Sequence, residues 1–218
     1  IFREEDRDGR GEVPVLRRKL ELVRRGRFPD SHSAVGFGTV RGEMSSLSAT
    51  ARALVVIVAT TGAAAVVLAA QEIIRSADSR QLLQIAVLAL LYFVGESWGT
   101  RVTDTRAEVT LGNAVVLAAY PLFGVVGAIL VVLSTIFSWR RQPLVKRVFN
   151  TSQQVVSAAM GGVTFLALGG HVGLASVSVP ALVGQIVAAD IAYAATNGLL
   201  VAGIVHLADG VPFRQVVG

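Results

Sequence analysis

Residues 53–70 form eighteen consecutive positions without a charged side chain. A helix of that length rises about 27 Å, close to the roughly 30 Å hydrocarbon core of a bilayer. Further apolar segments follow at 82–95, 109–120, 122–139, 148–168 and 181–207. Across the 218 residues, 53% are hydrophobic and only 16% are charged, against roughly 25% charged in a soluble domain. So much apolar surface exceeds what a soluble fold of this length needs, and the surplus implies an exterior that faces lipid. The pattern predicts an all-α, polytopic transmembrane bundle of about six spans.

The span at 109–120 is the shortest. Twelve helical residues rise about 18 Å, well short of the bilayer core, so a re-entrant segment is one reading of it. A single helix over 109–139 would be about 46 Å long and would contain Pro121, which argues against it. A re-entrant segment would also place Arg140, Arg141, Lys146 and Arg147 outside, against the positive-inside rule. Six spans avoid this. They put 1–52, 96–108, 140–147 and 208–218 on the cytoplasmic side, which then holds eighteen of the 20 Lys and Arg. Arg75 and Arg80 remain outside. This bias predicts that both termini are cytoplasmic and that the chain is a multi-pass protein of the cell membrane.

Residues 1–48 are polar and basic. Val15, Leu16, Leu20 and Val23 recur at helical spacing among arginines and permit a short amphipathic helix on anionic lipid. A solvated or disordered tail is the simpler expectation. The chain begins at Ile1 and not at Met, which reads as processed, cut or incomplete; a natural start at Met44 is a further possibility. Residues 209–218 read as a truncated cytoplasmic end. The net charge of +5 does not indicate nucleic acid, because the cations flank apolar segments.

Motifs of soluble enzymes are missing from the sequence. It has no phosphate-binding Gly loop with its Lys, no His-Glu-x-x-His and no Gly-x-Ser-x-Gly. It has no Cys, and its three His stand far apart, at His32, His171 and His206. No catalytic residue, metal or cofactor is expected in this stretch of chain.

Two polar groups stand out in apolar surroundings. Asp190, Tyr193 and Asn197 share one face of the last segment by i, i+3, i+7 spacing. An ionisable group at that depth should face protein or a water-filled cavity. Gln185 lies roughly 140° round the helix from Asp190, off that stripe. The second group, Asn150, Gln153, Gln154 and Ser157, shares a face at the start of the fifth segment. The tentative ligand-binding set is therefore Asp190, Tyr193, Asn197, Asn150, Gln153 and Gln154. Hydrogen bonding between helices, fixing their packing, explains the same residues without a ligand. Glu96 closes the second segment, to pair with Arg101 or a neighbouring helix or to sit in the wet interface. Ser157-x-x-x-Gly161, Ala158-x-x-x-Gly162 and Gly184-x-x-x-Ala188 permit close helix contact. They indicate a compact bundle and leave a homodimer open.

Three stretches carry a resemblance. The first runs from Glu108 to Gly124, with Leu111-Gly112-Asn113 and Tyr120-Pro121-Leu122. The second runs from Arg140 to Asn150, with Pro143, Lys146, Phe149 and Asn150 as its most specific positions. The third is Asp209-Gly210-Val211-Pro212-Phe213-Arg214. Over roughly 80–218 the chain resembles the MASE-like multi-span sensory regions found ahead of diguanylate cyclase or HD-type phosphohydrolase domains in bacteria. It is loosely similar to the substrate-binding subunits of vitamin uptake transporters. The resemblance implies a membrane-embedded signal-input module with a downstream cytoplasmic output domain; it carries over no ligand and no binding residue, and a small-molecule ligand, lipid or the state of the membrane is the expected input. Such regions usually continue with further spans past the Gly-x-Pro turn, whereas this sequence stops at Gly218. The residues of the output enzymes are missing from it, so no catalytic activity carries over. The rival expectation is a small-molecule transporter or substrate-binding membrane subunit.

Overall fold

The computed structural model describes residues 47–97, 100–101, 108–109, 112–137, 142–173 and 178–213. The tail helix at Val15–Val23, the cations Arg140, Arg141 and Arg214, and Leu111 of the first motif lie outside these residues. The described part is helical: α1 (Ala49–Ser76), α2 (Ser79–Ser97), α3 (Gly112–Leu133), α4 (Leu144–Ala167) and α5 (Val179–Asp209). Between α2 and α3, β1 (Thr100–Arg101) and β2 (Glu108–Val109) pair antiparallel, a two-residue ribbon that hydropathy did not signal.

Local chemistry sets the helix ends. The Ser48 side chain accepts the Ala51 N–H at 3.1 Å, satisfying one orphan donor of the first turn of α1. Asp78 Oδ1 does the same for Gln81 at 2.7 Å, so α2 begins after a link of two residues, Ala77 and Asp78. Pro180 sits in the first turn of α5, where its missing N–H is not needed. Gly210 ends α5 in the left-handed conformation, and its N–H bonds His206 O at 3.0 Å.

Helix α3 departs from the expected pattern. The expected break between two segments was Pro121. The helix instead runs through Pro121 and breaks at Gly124, whose φ of 67° and ψ of −164° belong to a region open essentially to Gly alone. Pro121 lies close to the end of the first limb, and its carbonyl accepts the Gly173 N–H at 3.0 Å. Its ring removes one helical hydrogen bond and crowds the carbonyl four residues earlier, yet the helix continues to the break at Gly124.

Contacts along α4 give the direction of each limb. Asn113 lies beside Asp190 on α5, whose neighbour Ala189 abuts Gly161. Eight residues later, Pro121 is at Gly173, beyond the end of α4. After the break, Val125 abuts Gly162, and Thr135 Oγ1 bonds Thr151 Oγ1 at 3.3 Å. The first limb therefore climbs along α4 and the second returns along it. A Cβ on Gly127 would overlap the Phe123 side chain, whereas residues four apart on an unbroken helix keep their Cβ atoms roughly 5–6 Å apart. The second limb extends through a 3₁₀ turn, Ser134–Phe137.

The core lies around α3. Tyr92, Val116, Tyr120, Val131, Val155 and Phe165 are fully buried there, with Tyr120 stacked on Phe165 at a centroid distance of 6.1 Å. Close approach of backbones depends on small residues: a Cβ on Gly62 of α1 would come within 2.7 Å of Ser152 Cβ on α4. Ser157, Ala158, Gly161 and Gly162 are all buried, as small-residue packing requires. Gly184 has open space where its Cβ would be, so its motif makes no such contact among the described residues.

The exterior is apolar. Ile57, Leu68, Leu83, Val163, Ile191 and Leu199 are all exposed. Monomeric soluble proteins rarely expose a continuous apolar surface of that extent. Three helical stretches, Ala49–Ser76, Gly112–Phe137 and Val179–Ala208, are long and apolar enough to cross a membrane. The middle one is the stretch divided by Gly124.

Candidate functional site

A polar layer crosses the bundle where α3, α4 and α5 meet. The sequence places Asp190, Tyr193 and Asn197 on one face of α5, and the fold turns that face toward α3 and α4. Asn113 Nδ2 donates to Asp190 Oδ1 at 3.1 Å. The Tyr193 hydroxyl donates to Gln154 Oε1, and Gln153 Nε2 donates to Asn197 Oδ1. Gln153 is buried, and its backbone carbonyl also accepts the Ser157 hydroxyl at 2.9 Å.

Five of the six expected site residues thus come together. Asn150 does not join them. Its side chain donates to Gln142 Oε1 at 3.3 Å, at the start of α4 and away from Asp190. Gln185 is also elsewhere, donating to Leu168 O at 3.1 Å, as its angle on the helix implied. Local geometry accounts for two of the histidines: His171 Nδ1 pairs with Gly169 O at 2.9 Å and His206 Nδ1 with Val211 O at 2.8 Å. Among the described residues, no three His, Asp or Glu side chains converge as a metal site would need.

Helix α2 supplies what hydropathy reading missed. Glu96 was expected to pair with Arg101 or a neighbouring helix, or to sit in the wet interface. It lies against the first residue of α3, where a Cβ on Gly112 would overlap Glu96 Oε1 and come within 2.9 Å of Tyr92 Cε2. Glycine at 112 is what lets the α2 carboxylate approach. Tyr92 is fully buried, facing Tyr193. The Tyr193 hydroxyl, already donated to Gln154, lies within electrostatic range of Tyr92, Glu96 and Asp190. Asn113 stood out in the sequence only as part of the Leu111-Gly112-Asn113 motif. Its pairing with a residue 77 positions away was not legible.

The layer therefore combines carboxylates, carboxamides and phenols inside an apolar bundle. It can hold a polar or cationic group by hydrogen bonds and charge. In family models, curated proteins and solved structures alike, the chain finds no match. Fold and site define the class, a helical membrane bundle with a polar interior layer.

Proposed function

We propose that the chain is the membrane-embedded signal-input module of a bacterial signalling protein, with six crossings of the cytoplasmic membrane and both ends on the cytoplasmic side. The carrying observation is the Asn113–Asp190 bond, which ties a broken helix to a polar layer inside the bundle. A helix pair hinged at Gly124 and latched by a few polar contacts is an element that a ligand can repack. Repacking would move α5, and α5 leads toward a cytoplasmic output domain beyond Gly218. The orientation draws support from the charge bias and from the Ser48 hydroxyl, which donates to Leu207 O at 3.1 Å. That bond puts the start of α1 and the end of α5 at one end of the bundle.

The test is the coding sequence past codon 218. A frame that continues into a cyclic-dinucleotide or HD-type enzyme domain supports the sensor. A frame that ends there, or continues into no soluble domain, contradicts it.

A second reading is a small-molecule transporter or substrate-binding subunit. The observation favouring it is that the first limb of α3 begins inside the bundle, beside two carboxylates. Half-helices ending at mid-bilayer commonly form transport sites. Uptake of a metabolite that is lost in Asp190→Ala while the protein still folds would select this reading.

A further inference from the structure

We infer that residues 168–173, at the start of the connection from α4 to α5, act as a strap that completes the broken helix α3, so that loosening the strap frees the fold at Gly124. The inference needs only the packing of the bundle and not the sensor reading.

The break leaves a backbone group to be satisfied. In an unbroken helix the Pro121 carbonyl would accept the N–H four residues on, that of Val125. With ψ of −164° at Gly124, in place of about −42°, that N–H is turned away. Pro121 is buried, and a buried carbonyl inside a membrane bundle needs a partner from the protein. The strap supplies it: the Gly173 N–H reaches Pro121 O at 3.0 Å. Val172 covers the same place. A Cβ on Gly124 would come within 3.1 Å of Val172 Cγ2, so that side chain rests on the fold itself.

The strap is anchored on two other helices. Gly169 and Gly170 donate to Leu166 O and Phe165 O, both at 2.9 Å, which folds the strap back over the last turn of α4. Phe165 in turn stacks on Tyr120, the residue before Pro121. From α5, Gln185 Nε2 donates to Leu168 O at 3.1 Å. Gly169 and Gly173 take the left-handed conformation, with φ of 81° and 103°, that these tight turns require. One short segment thus ties the end of α4, the start of α5 and the fold of α3 together. It lies at the end of α5 opposite the Ser48–Leu207 contact. In a signal-input module it would carry a shift of α5 to the fold of α3; that consequence alone rests on the sensor reading.

The test is backbone hydrogen exchange of the full chain in detergent or nanodiscs, read peptide by peptide by mass spectrometry. Val172→Ala removes the contact with the fold. Gln185→Leu removes the anchor on α5. It should fold, because it also removes Gln185 Oε1, a buried acceptor without a hydrogen-bond partner among the described residues. Val163→Ala, at an equally exposed valine on α4, is the control. Both strap variants should speed exchange over 119–128 about three- to tenfold, the loss of roughly one hydrogen bond, and leave α1 and the first half of α4 unchanged. The control should match the wild type. Where the two strap variants disagree, Val172→Ala decides. A fold as protected in Val172→Ala as in the wild type would overturn the strap. So would acceleration spread equally over α1 and α4, or a control that loosens the fold as much.

Discussion

Asn113 Nδ2 meets Asp190 Oδ1 at 3.1 Å, so the first turn of α3 is fastened to α5 within the polar layer of the bundle. Hydrogen bonds between membrane helices average about 0.6 kcal/mol and reach about 1.7. This one involves an ionisable acceptor and should lie in the upper part of that range. Asn113→Leu should therefore lower stability by about 1–2 kcal/mol, read as a drop in melting temperature in detergent. A variant as stable as the wild type would show that the bond holds nothing together.

Two glycines in similar sequence settings should behave oppositely. A Cβ on Gly161 would come within 2.9 Å of Ala189 O and would run into the Tyr120 hydroxyl, which itself donates to Ala158 O at 3.0 Å. Gly161→Ala should cost about 1–3 kcal/mol through overpacking. Gly184 meets nothing within 4 Å, and there Gly184→Ala should be neutral or stabilise by up to about 1 kcal/mol. Paired melting curves decide it; equal effects would contradict the packing described.

The break in α3 gives a third expectation. Gly124 occupies backbone space that an alanine tolerates poorly, so Gly124→Ala should destabilise by about 1–3 kcal/mol. Pro121→Ala should matter less, since Pro121 already lies within helix near the end of its limb. If the ranking is reversed in thermal unfolding, the hinge belongs at Pro121.

These glycines show where sequence reading succeeds and where it stops. Helix positions were legible because apolar runs are long and their ends carry strong local signals, such as Pro180 and Gly210. The face shared by Asp190, Tyr193 and Asn197 followed from helical spacing alone. Asn150 shares the spacing of Gln153 and Gln154, yet it sits near the start of α4, where Gln142 is the closer partner. Periodicity fixes an angle round a helix and says nothing of which neighbour lies there. Pro121 was the stronger textual break, yet the helix continues past it to Gly124. Gly124 carried no comparable signal, because a sequence this rich in Gly does not mark which one leaves helical space. Tyr92 was missed as a partner of α3, and which helix Glu96 would meet was not legible, for a similar reason: the approach depends on the absent side chain of Gly112.

The pairs between α4 and α5 give a further check. Gln153→Leu removes the bonds to Asn197 while roughly keeping volume, and Tyr193→Phe removes the bond to Gln154. Each should cost about 0.6–1.7 kcal/mol. The double variant should fall close to the sum if the pairs act independently and short of it if they form one network. Melting of the two single variants and the double variant completes the cycle.

The proposed topology, six crossings with α3 folded at Gly124 so that its two limbs run in opposite directions across the membrane, has a direct test. The chain has no cysteine, so single introduced cysteines report without background. Leu122, next to the fold, is exposed, and Gln142 follows the second limb. With a membrane-impermeant thiol reagent on intact cells, Leu122→Cys should label from outside. Gln142→Cys should label only after the cytoplasmic face is opened. Labelling of Gln142→Cys from outside, or of both positions from one side, would contradict the account.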